Sequence, residues 1–328
     1  MRIQFSMSAS RDESVVVACA ANRSYALPLA VMLRSAAGHL GDGRRLAAFV
    51  VDDGIPPDDK QRVADSMPVN ASVSWIRPVR DNFDGLPLWG RMPITTYDKL
   101  MVADFLPADI HRVIWLDCDM LVLADLGELW TRSFGDASTL AVQDALVPLV
   151  SSRFGVGGYT EMGIDPRAPY FNAGMMVIDV DAWRRDDVSG GGLEYLRKFG
   201  DSVFFWDQEA LNATLAGRWS ALEPRWNWSA TLDRLSIPSD RSHKPESGKA
   251  RVVHFNGSLK PWLIRDSNGL GASYFEYLDG TAWAGWRPAR TIRSSLLGWY
   301  GSSRVRRQLY PAEQWGLQLI WRLSHWHS

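Results

Sequence analysis

Asp117 and Asp119 interrupt an apolar run, VIWLDCDMLV (residues 113–122), with only Cys118 between them. Unpaired buried carboxylates are expensive, so the two acids must reach the exposed end of the run or find a cation. In an extended strand, residues two apart point the same way, which puts both acids on one side and leaves Cys118 to pack on the other. Two like charges this close raise one pKa unless a cation neutralises them, and carboxylate oxygens suit hard divalent ions such as Mg²⁺ or Mn²⁺. Spacing alone also allows a plainer outcome, in which one acid caps the following turn and the other is solvated. The segment HFNGSLKPW (residues 254–262) offers complementary chemistry. His254 suits a third metal ligand, Gly257 allows close backbone approach, and Lys260 is a counter-charge for phosphate.

These groups need a scaffold, and the periodicity of the chain supplies one. SVVVACA (14–20), RRLAAFVVDD (44–53), ASVSWIRPV (71–79) and HRVIWLDCDMLVL (111–123) read as strands. Between them, YALPLAVMLRSAAGHL (25–40), PDDKQRVADSM (57–67) and TTYDKLMVADFLP (95–107) read as helices, the first tolerating Pro28 in its opening turn. Strands alternating with helices predict an α/β fold with a mostly parallel sheet. Ligands of such sheets bind outside the carboxyl ends of the strands, so residues 20–24 and 117–119 are expected on one rim. Further on, ELWTRSF (128–134) reads as a short helix, TLAVQDAL (139–146) as a strand ending in Asp144, and RFGVGGYT (153–160) as a Gly-rich loop. YFNAGMMVIDVDAW (170–183) is a strand, LEYLRKF (193–199) and DQEALNATLAG (207–217) are helical, and KARVVHFNGSLKPW (249–262) again sets polar groups behind a strand.

The 36 basic and 37 acidic residues leave a formal charge of -1, which argues against a nucleic-acid partner. Cys19 and Cys118 both lie in apolar runs, which predicts buried reduced thiols and a reducing cytoplasm. No run reaches the roughly 18 apolar residues of a membrane-spanning helix, and residues 1–14 lack the apolar core of a signal peptide. From Arg287 the composition shifts: seven arginines, four of the 16 tryptophans and a single acid, Glu313. We therefore expect a catalytic domain over 11–286 and a basic, Trp-rich helical extension over 287–328. Arginine with tryptophan suits an anionic membrane surface, the alternative being a helical extension packed on the domain.

The ordered series ACAANRSYA, ITTYDKL, IWLDCDMLV, YFNAGMMVID, WDQEALN and HFNGSLKPW resembles the retaining nucleotide-sugar transferases of glycosyltransferase family 8, over about residues 14–286. The resemblance implies a GT-A, Rossmann-like fold, a UDP-sugar donor, and Mn²⁺ or Mg²⁺ held by Asp117, Asp119 and His254. It implies that Ala20, Asn22 and Tyr25 line the uridine pocket and that Cys118 offers backbone to the ribose. Lys99, Asp144, Asn172, Ala173, Asp207 and Gln208 would surround the sugar, and Gly257 and Lys260 would hold the diphosphate. Asn22 and Ser24 stand where the family often has Asp and Asn, and Lys99 stands where some members have arginine. That last exchange replaces a fixed fork of donors with a point charge.

The expected activity is retaining transfer of a hexose, galactose or glucose, from UDP-sugar to a saccharide or lipid-linked saccharide. Retention requires either a covalent intermediate, for which Asp207 is the candidate carboxylate, or same-face attack; the expectation is same-face attack, with the diphosphate oxygen accepting the acceptor's proton and Gln208 and Asp207 positioning the sugar. The expected location is cytoplasmic, with peripheral contact on the inner face of the plasma membrane. Two rival readings are a haloacid-dehalogenase-like phosphatase, whose D-x-D usually opens the fold, and a non-catalytic UDP-sugar-binding protein.

Overall fold

The computed structural model describes residues 14–235 and 250–292, apart from 42, 89–91, 258 and 265–268, together with scattered positions between 294 and 316. Most of the expected extension over 287–328, and its membrane contact, therefore lie outside the described residues. Among those described, no helix is long and apolar enough to cross a membrane.

Among the described residues, ten strands form two sheets: β1 (Ser14–Asn22), β2 (Arg45–Asp53), β3 (Ala71–Ile76), β4 (Arg112–Leu116), β5 (Met120–Val122), β6 (Thr139–Gln143), β7 (Phe171–Asp179), β8 (Trp219–Ala221), β9 (Trp228–Ser229) and β10 (Val252–His254). The main sheet has seven strands in the order β3-β2-β1-β4-β7-β6-β8, and β5-β10-β9 form a smaller one. In the main sheet β7 alone runs against the others, pairing antiparallel with β4 and β6. The expected mixed, mostly parallel α/β architecture is what the chain adopts.

Both faces of the main sheet are covered at its centre, which explains why β1, β4 and β7 read as largely apolar runs. Along β1, Val15, Val17, Cys19 and Ala21 point into one core with Leu29, Met32 and Leu33 of the helix Ala26–Gly38. Val16 and Ala18 point into the other, with Tyr97, Trp183 and Leu196. The helix begins after Tyr25, and Pro28 lies in its first turn, where a missing N–H costs nothing.

Two local expectations are corrected. Residues 95–107 do not form one helix: a 3-10 turn, Ile94–Lys99, precedes a short helix, Val102–Phe105. Nor do residues 111–123 form one strand. The chain leaves the main sheet at Leu116, turns through Asp117–Asp119, and enters the second sheet at Met120. The carboxylates thus sit on a turn between sheets, and strand alternation is not what orients them.

Candidate functional site

Where β1 and β4 end and β7 begins, a cleft of about 460 Å³ opens. Ala20, Asn22 and Tyr25 line it beside the 117–119 turn, so the two expected signals do share a rim. Of the residues expected at the site, all except Asp144 and Ala173 line this cleft.

Pairing between strands builds the acidic end. Asp117 N–H donates to Gly174 O at 2.8 Å, extending the β4–β7 ladder by one residue. In the second sheet Met120 pairs with His254, and Phe255 N–H donates to Asp119 O at 2.9 Å, which brings His254 beside the turn. Asp117, Asp119 and His254 each present a ligand atom, all within 4.8 Å of one another. Two carboxylates and an imidazole make a donor set that fits Mn²⁺ or Mg²⁺.

Two lysines share the charge. Lys260 pairs with Asp119, while Lys99 bridges Asp117 at 3.1 Å and Asp207 at 2.9 Å. Burial alone would raise Asp119, but Lys260 and His254 outweigh it and hold this carboxyl far below the usual range. Burial dominates at Asp117 and pushes it up, with Lys99 offsetting only part and the Asp119 charge adding to the rise. Neighbouring acids driven in opposite directions are the expected response of two charges in one site. Both lysines are raised, because their carboxylate partners outweigh the burial that would lower them.

The opposite wall carries Phe205, Trp206, Asp207 and Gln208 at the start of the helix Trp206–Thr214. Trp206 has φ of +36°, a left-handed conformation that a bulky residue adopts only when its surroundings enforce it. Buried Glu209 fixes the turn leading into it, accepting from Phe204 N at 2.7 Å, Phe205 N at 3.4 Å and Gly157 N at 3.0 Å. The last bond ties the Gly-rich loop to this turn. Asp207 is engaged twice, by Lys99 and by Thr96 Oγ1 at 2.6 Å.

Asp144 and Ala173 sit one layer behind the cleft. Asp144 Oδ2 accepts from Asn172 Nδ2 at 2.9 Å and Gln208 Nε2 at 3.3 Å, and Ala173 N–H donates to Gln208 Oε1 at 3.0 Å. They hold Asn172 and Gln208 rather than face the cleft themselves. Asn22 has a double position: it lines the cleft, and its Oδ1 accepts from Ser24 N at 3.0 Å and caps the 3-10 turn Arg23–Tyr25. Tyr25 packs edge-on against Trp262, and Gly257 adopts φ of +82°, which favours glycine at that bend. Cys118 Sγ donates to Ala20 O at 3.2 Å, stitching the turn to β1.

Sequence reading missed four participants: Thr96, Trp115, whose Nε1 donates to Asp117 Oδ1 at 2.8 Å, Gly174 and Asn227. Only Gly174 carried a local signal, since glycine inside an apolar strand marks a close approach.

The profile of glycosyl transferase family 8 matches residues 16–265. General stress protein A of Bacillus subtilis is 27% identical over 285 residues, covering 83% of this chain and 96% of that protein. Glycosyltransferase GlyF of Streptococcus pneumoniae is 22% identical over 317 residues, covering 95% and 73% respectively. Among solved structures, the galactosyltransferase LgtC in complex with donor and acceptor sugar analogs superposes with a TM-score of 0.70 at 26% identity, over 81% of this chain and 96% of that one. With the sheet order, the cleft and a match over most of its length, the chain belongs to glycosyl transferase family 8 and is a glycosyltransferase of GT-A fold.

Proposed function

We propose that the protein transfers a hexose, galactose or glucose, from UDP-sugar to a saccharide hydroxyl with retention of configuration, using Mn²⁺ or Mg²⁺. The observation that carries this reading is the convergence of Asp117, Asp119 and His254 beside Lys260 in one cleft. A divalent cation bound by the three would supply Lewis acidity to the diphosphate. Lys260 stabilises the negative charge that develops as the bond to the anomeric carbon breaks, and Gly257 lets the backbone approach the diphosphate. Ala20, Asn22 and Tyr25 receive the nucleoside, with Cys118 backbone at the ribose. Lys99, Asn172, Asp207 and Gln208 surround the sugar, supported from behind by Asp144 and Ala173. LgtC is itself described as a galactosyltransferase, which favours a hexose.

Asp207 supports same-face attack over a covalent intermediate. Lys99 neutralises the Asp207 carboxylate and Thr96 hydrogen-bonds its other oxygen, which lowers its nucleophilicity and suits a group that positions the sugar. The acceptor hydroxyl therefore attacks on the face that UDP leaves, and its proton passes to the departing diphosphate oxygen. The acceptor is a saccharide or a lipid-linked saccharide, the latter reached through membrane contact of the Arg- and Trp-rich residues 287–328. Liposome co-sedimentation unchanged by deleting those residues would remove the lipid part.

UDP release from a panel of UDP-sugars, with Mn²⁺ and with EDTA, tests the whole reading. Asp119→Asn is expected to abolish transfer while the variant unfolds as cooperatively as the native protein. Full activity of that variant in EDTA, or a glycosyl adduct trapped on Asp207, would overturn the metal assignment and the same-face mechanism respectively.

A further inference from the structure

Asn227 belongs to none of the motifs that match the family, yet its carboxamide touches both sides of the site. Its Nδ2 donates to Asn172 Oδ1 at 2.9 Å, and its Oδ1 lies 3.0 Å from His254 Nδ1. The direction of each bond follows from groups whose roles are fixed. The backbone N–H of Gly174 can only donate, and it bonds Asn172 Oδ1 at 3.1 Å. A carboxylate only accepts, and Asp144 Oδ2 faces Asn172 Nδ2. Asn172 is thereby oriented from both ends. Its oxygen demands the NH₂ of Asn227, which turns the Asn227 oxygen to the imidazole. His254 Nδ1 must then carry a hydrogen, and its Nε2 turns to the acidic cluster, 3.3 Å from Asp119 Oδ1.

We infer that Asn227 is a positioning residue that, through the relay Asp144–Asn172–Asn227–His254, fixes the imidazole tautomer and directs the Nε2 lone pair to a divalent cation. The inference rests on the proposed metal-binding role of Asp117, Asp119 and His254. Hydrogen bonds from the distal nitrogen of a ligating histidine set ring orientation and basicity, and their loss weakens metal binding by about 10- to 100-fold. The relay also links the metal end to the sugar end, because Gln208 Nε2 shares the Asp144 oxygen that holds Asn172.

The test is Mn²⁺ affinity of the full chain, measured by electron paramagnetic resonance of free Mn²⁺ without nucleotide, for native protein, Asn227→Leu, Asn227→Asp and His254→Ala, with thermal unfolding of each. Asn227→Leu has no acceptor for the imidazole and should bind Mn²⁺ about 10- to 100-fold more weakly. Asn227→Asp keeps an acceptor opposite Nδ1 but sets an oxygen against Asn172 Oδ1, so it should lose Mn²⁺ affinity by clearly less than Asn227→Leu. If the leucine variant does not fold, Asn227→Ala takes its place. Native affinity in the leucine or alanine variant, or an equal loss in the aspartate variant, would overturn the relay while leaving the metal site standing. Native affinity in His254→Ala would instead overturn the metal site, and the relay with it.

Discussion

Replacing Gly174 by alanine tests whether the bare backbone of β7 seats His254. A Cβ at this position would lie 2.4 Å from His254 Cε1, 2.8 Å from its Nδ1 and 2.9 Å from Met120 Cε. Non-bonded carbons rest at about 3.5–4.0 Å, so the imidazole would have to retreat by roughly 1 Å. It has little open space to enter, being 6% exposed. A shift of that size disturbs the 3.0 Å contact to Asn227 Oδ1, because a hydrogen bond does not tolerate a change of about 1 Å. It also carries Nε2 far outside the ~0.2 Å tolerance of a metal–ligand distance. Overpacking costs about 1–3 kcal/mol, whereas Gly→Ala stiffens the unfolded chain and returns about 0.4–1 kcal/mol. The steric effect wins, leaving a net destabilisation of up to about 2.5 kcal/mol. Mn²⁺ affinity should fall by about 10- to 100-fold. Equilibrium urea unfolding reads the first quantity and Mn²⁺ titration the second. Native metal affinity together with native or greater stability would show that the ring does not rest on Gly174, and would refute the reasoning.

Lys99→Met removes the cation shared by Asp117 and Asp207 and should cost about 3–5 kcal/mol in urea unfolding, with saturating Mn²⁺ restoring part of it. Glu209→Gln leaves one amide oxygen for the donors of Gly157, Tyr195, Phe204 and Phe205, and should cost about 1–3 kcal/mol at neutral pH and expose the Gly-rich loop to limited proteolysis. Burial pushes the native Glu209 carboxyl up, its hydrogen-bond donors offsetting this only in part, so the folded state holds that proton more tightly than the unfolded chain, where Glu titrates near about 4.3. Its contribution is therefore full below that value and lost as pH rises through the higher folded value, a slope that unfolding curves of Glu209→Gln should lack. Cys19 and Cys118 are buried, and Cys118 is raised by its contact with Cys19 and by burial, so neither should react with a disulfide reagent until the protein unfolds. Rapid native-state labelling of Cys118 would contradict that placement.

What the sequence made legible was local and periodic. The alternation of apolar strands and helices through residue 123 marks four of the seven strands of the main sheet, because burial on both faces demands runs such as SVVVACA. The motif residues were legible because polar groups stand directly behind apolar strands, where an α/β sheet places its ligands. Contacts across the chain left no such trace. Nothing in the local sequence ties Thr96 to Asp207 or Asn227 to His254, since each pair meets only after distant elements dock. Asp144 and Ala173 illustrate a second limit: proximity to the site was legible, but not whether a side chain faces the cleft or braces one that does. The 3-10 turn at Ile94–Lys99 was read as regular helix because both share nearly the same apolar spacing over so short a span.

The reading of VIWLDCDMLV as a single strand failed for a reason that bears on function. Met120, Leu121 and Val122 are as apolar and buried as Ile114, Trp115 and Leu116, so periodicity cannot reveal that the two triplets belong to different sheets. Had the strand continued, Asp117 and Asp119 would have shared one face of one sheet. Because the chain instead crosses between sheets there, each acid is anchored to a different one. Asp117 N–H is held by Gly174 of the main sheet, and Asp119 O is held by Phe255 beside β10 of the small sheet. The separation of the carboxylates, and the distance of Asp119 from His254, are thus set by how the two sheets pack. A substitution that shifts the small sheet should therefore alter Mn²⁺ affinity without touching a ligand. Val253→Ala, which removes buried methyl groups where β10 pairs with Leu121 and Trp228, is expected to cost about 1–3 kcal/mol and weaken Mn²⁺ binding. An equal loss of stability from Ala48→Gly, in β2 of the main sheet and remote from the turn, should leave Mn²⁺ binding unchanged. If both variants lowered metal affinity in proportion to their loss of stability, the small sheet would have no special hold on the turn.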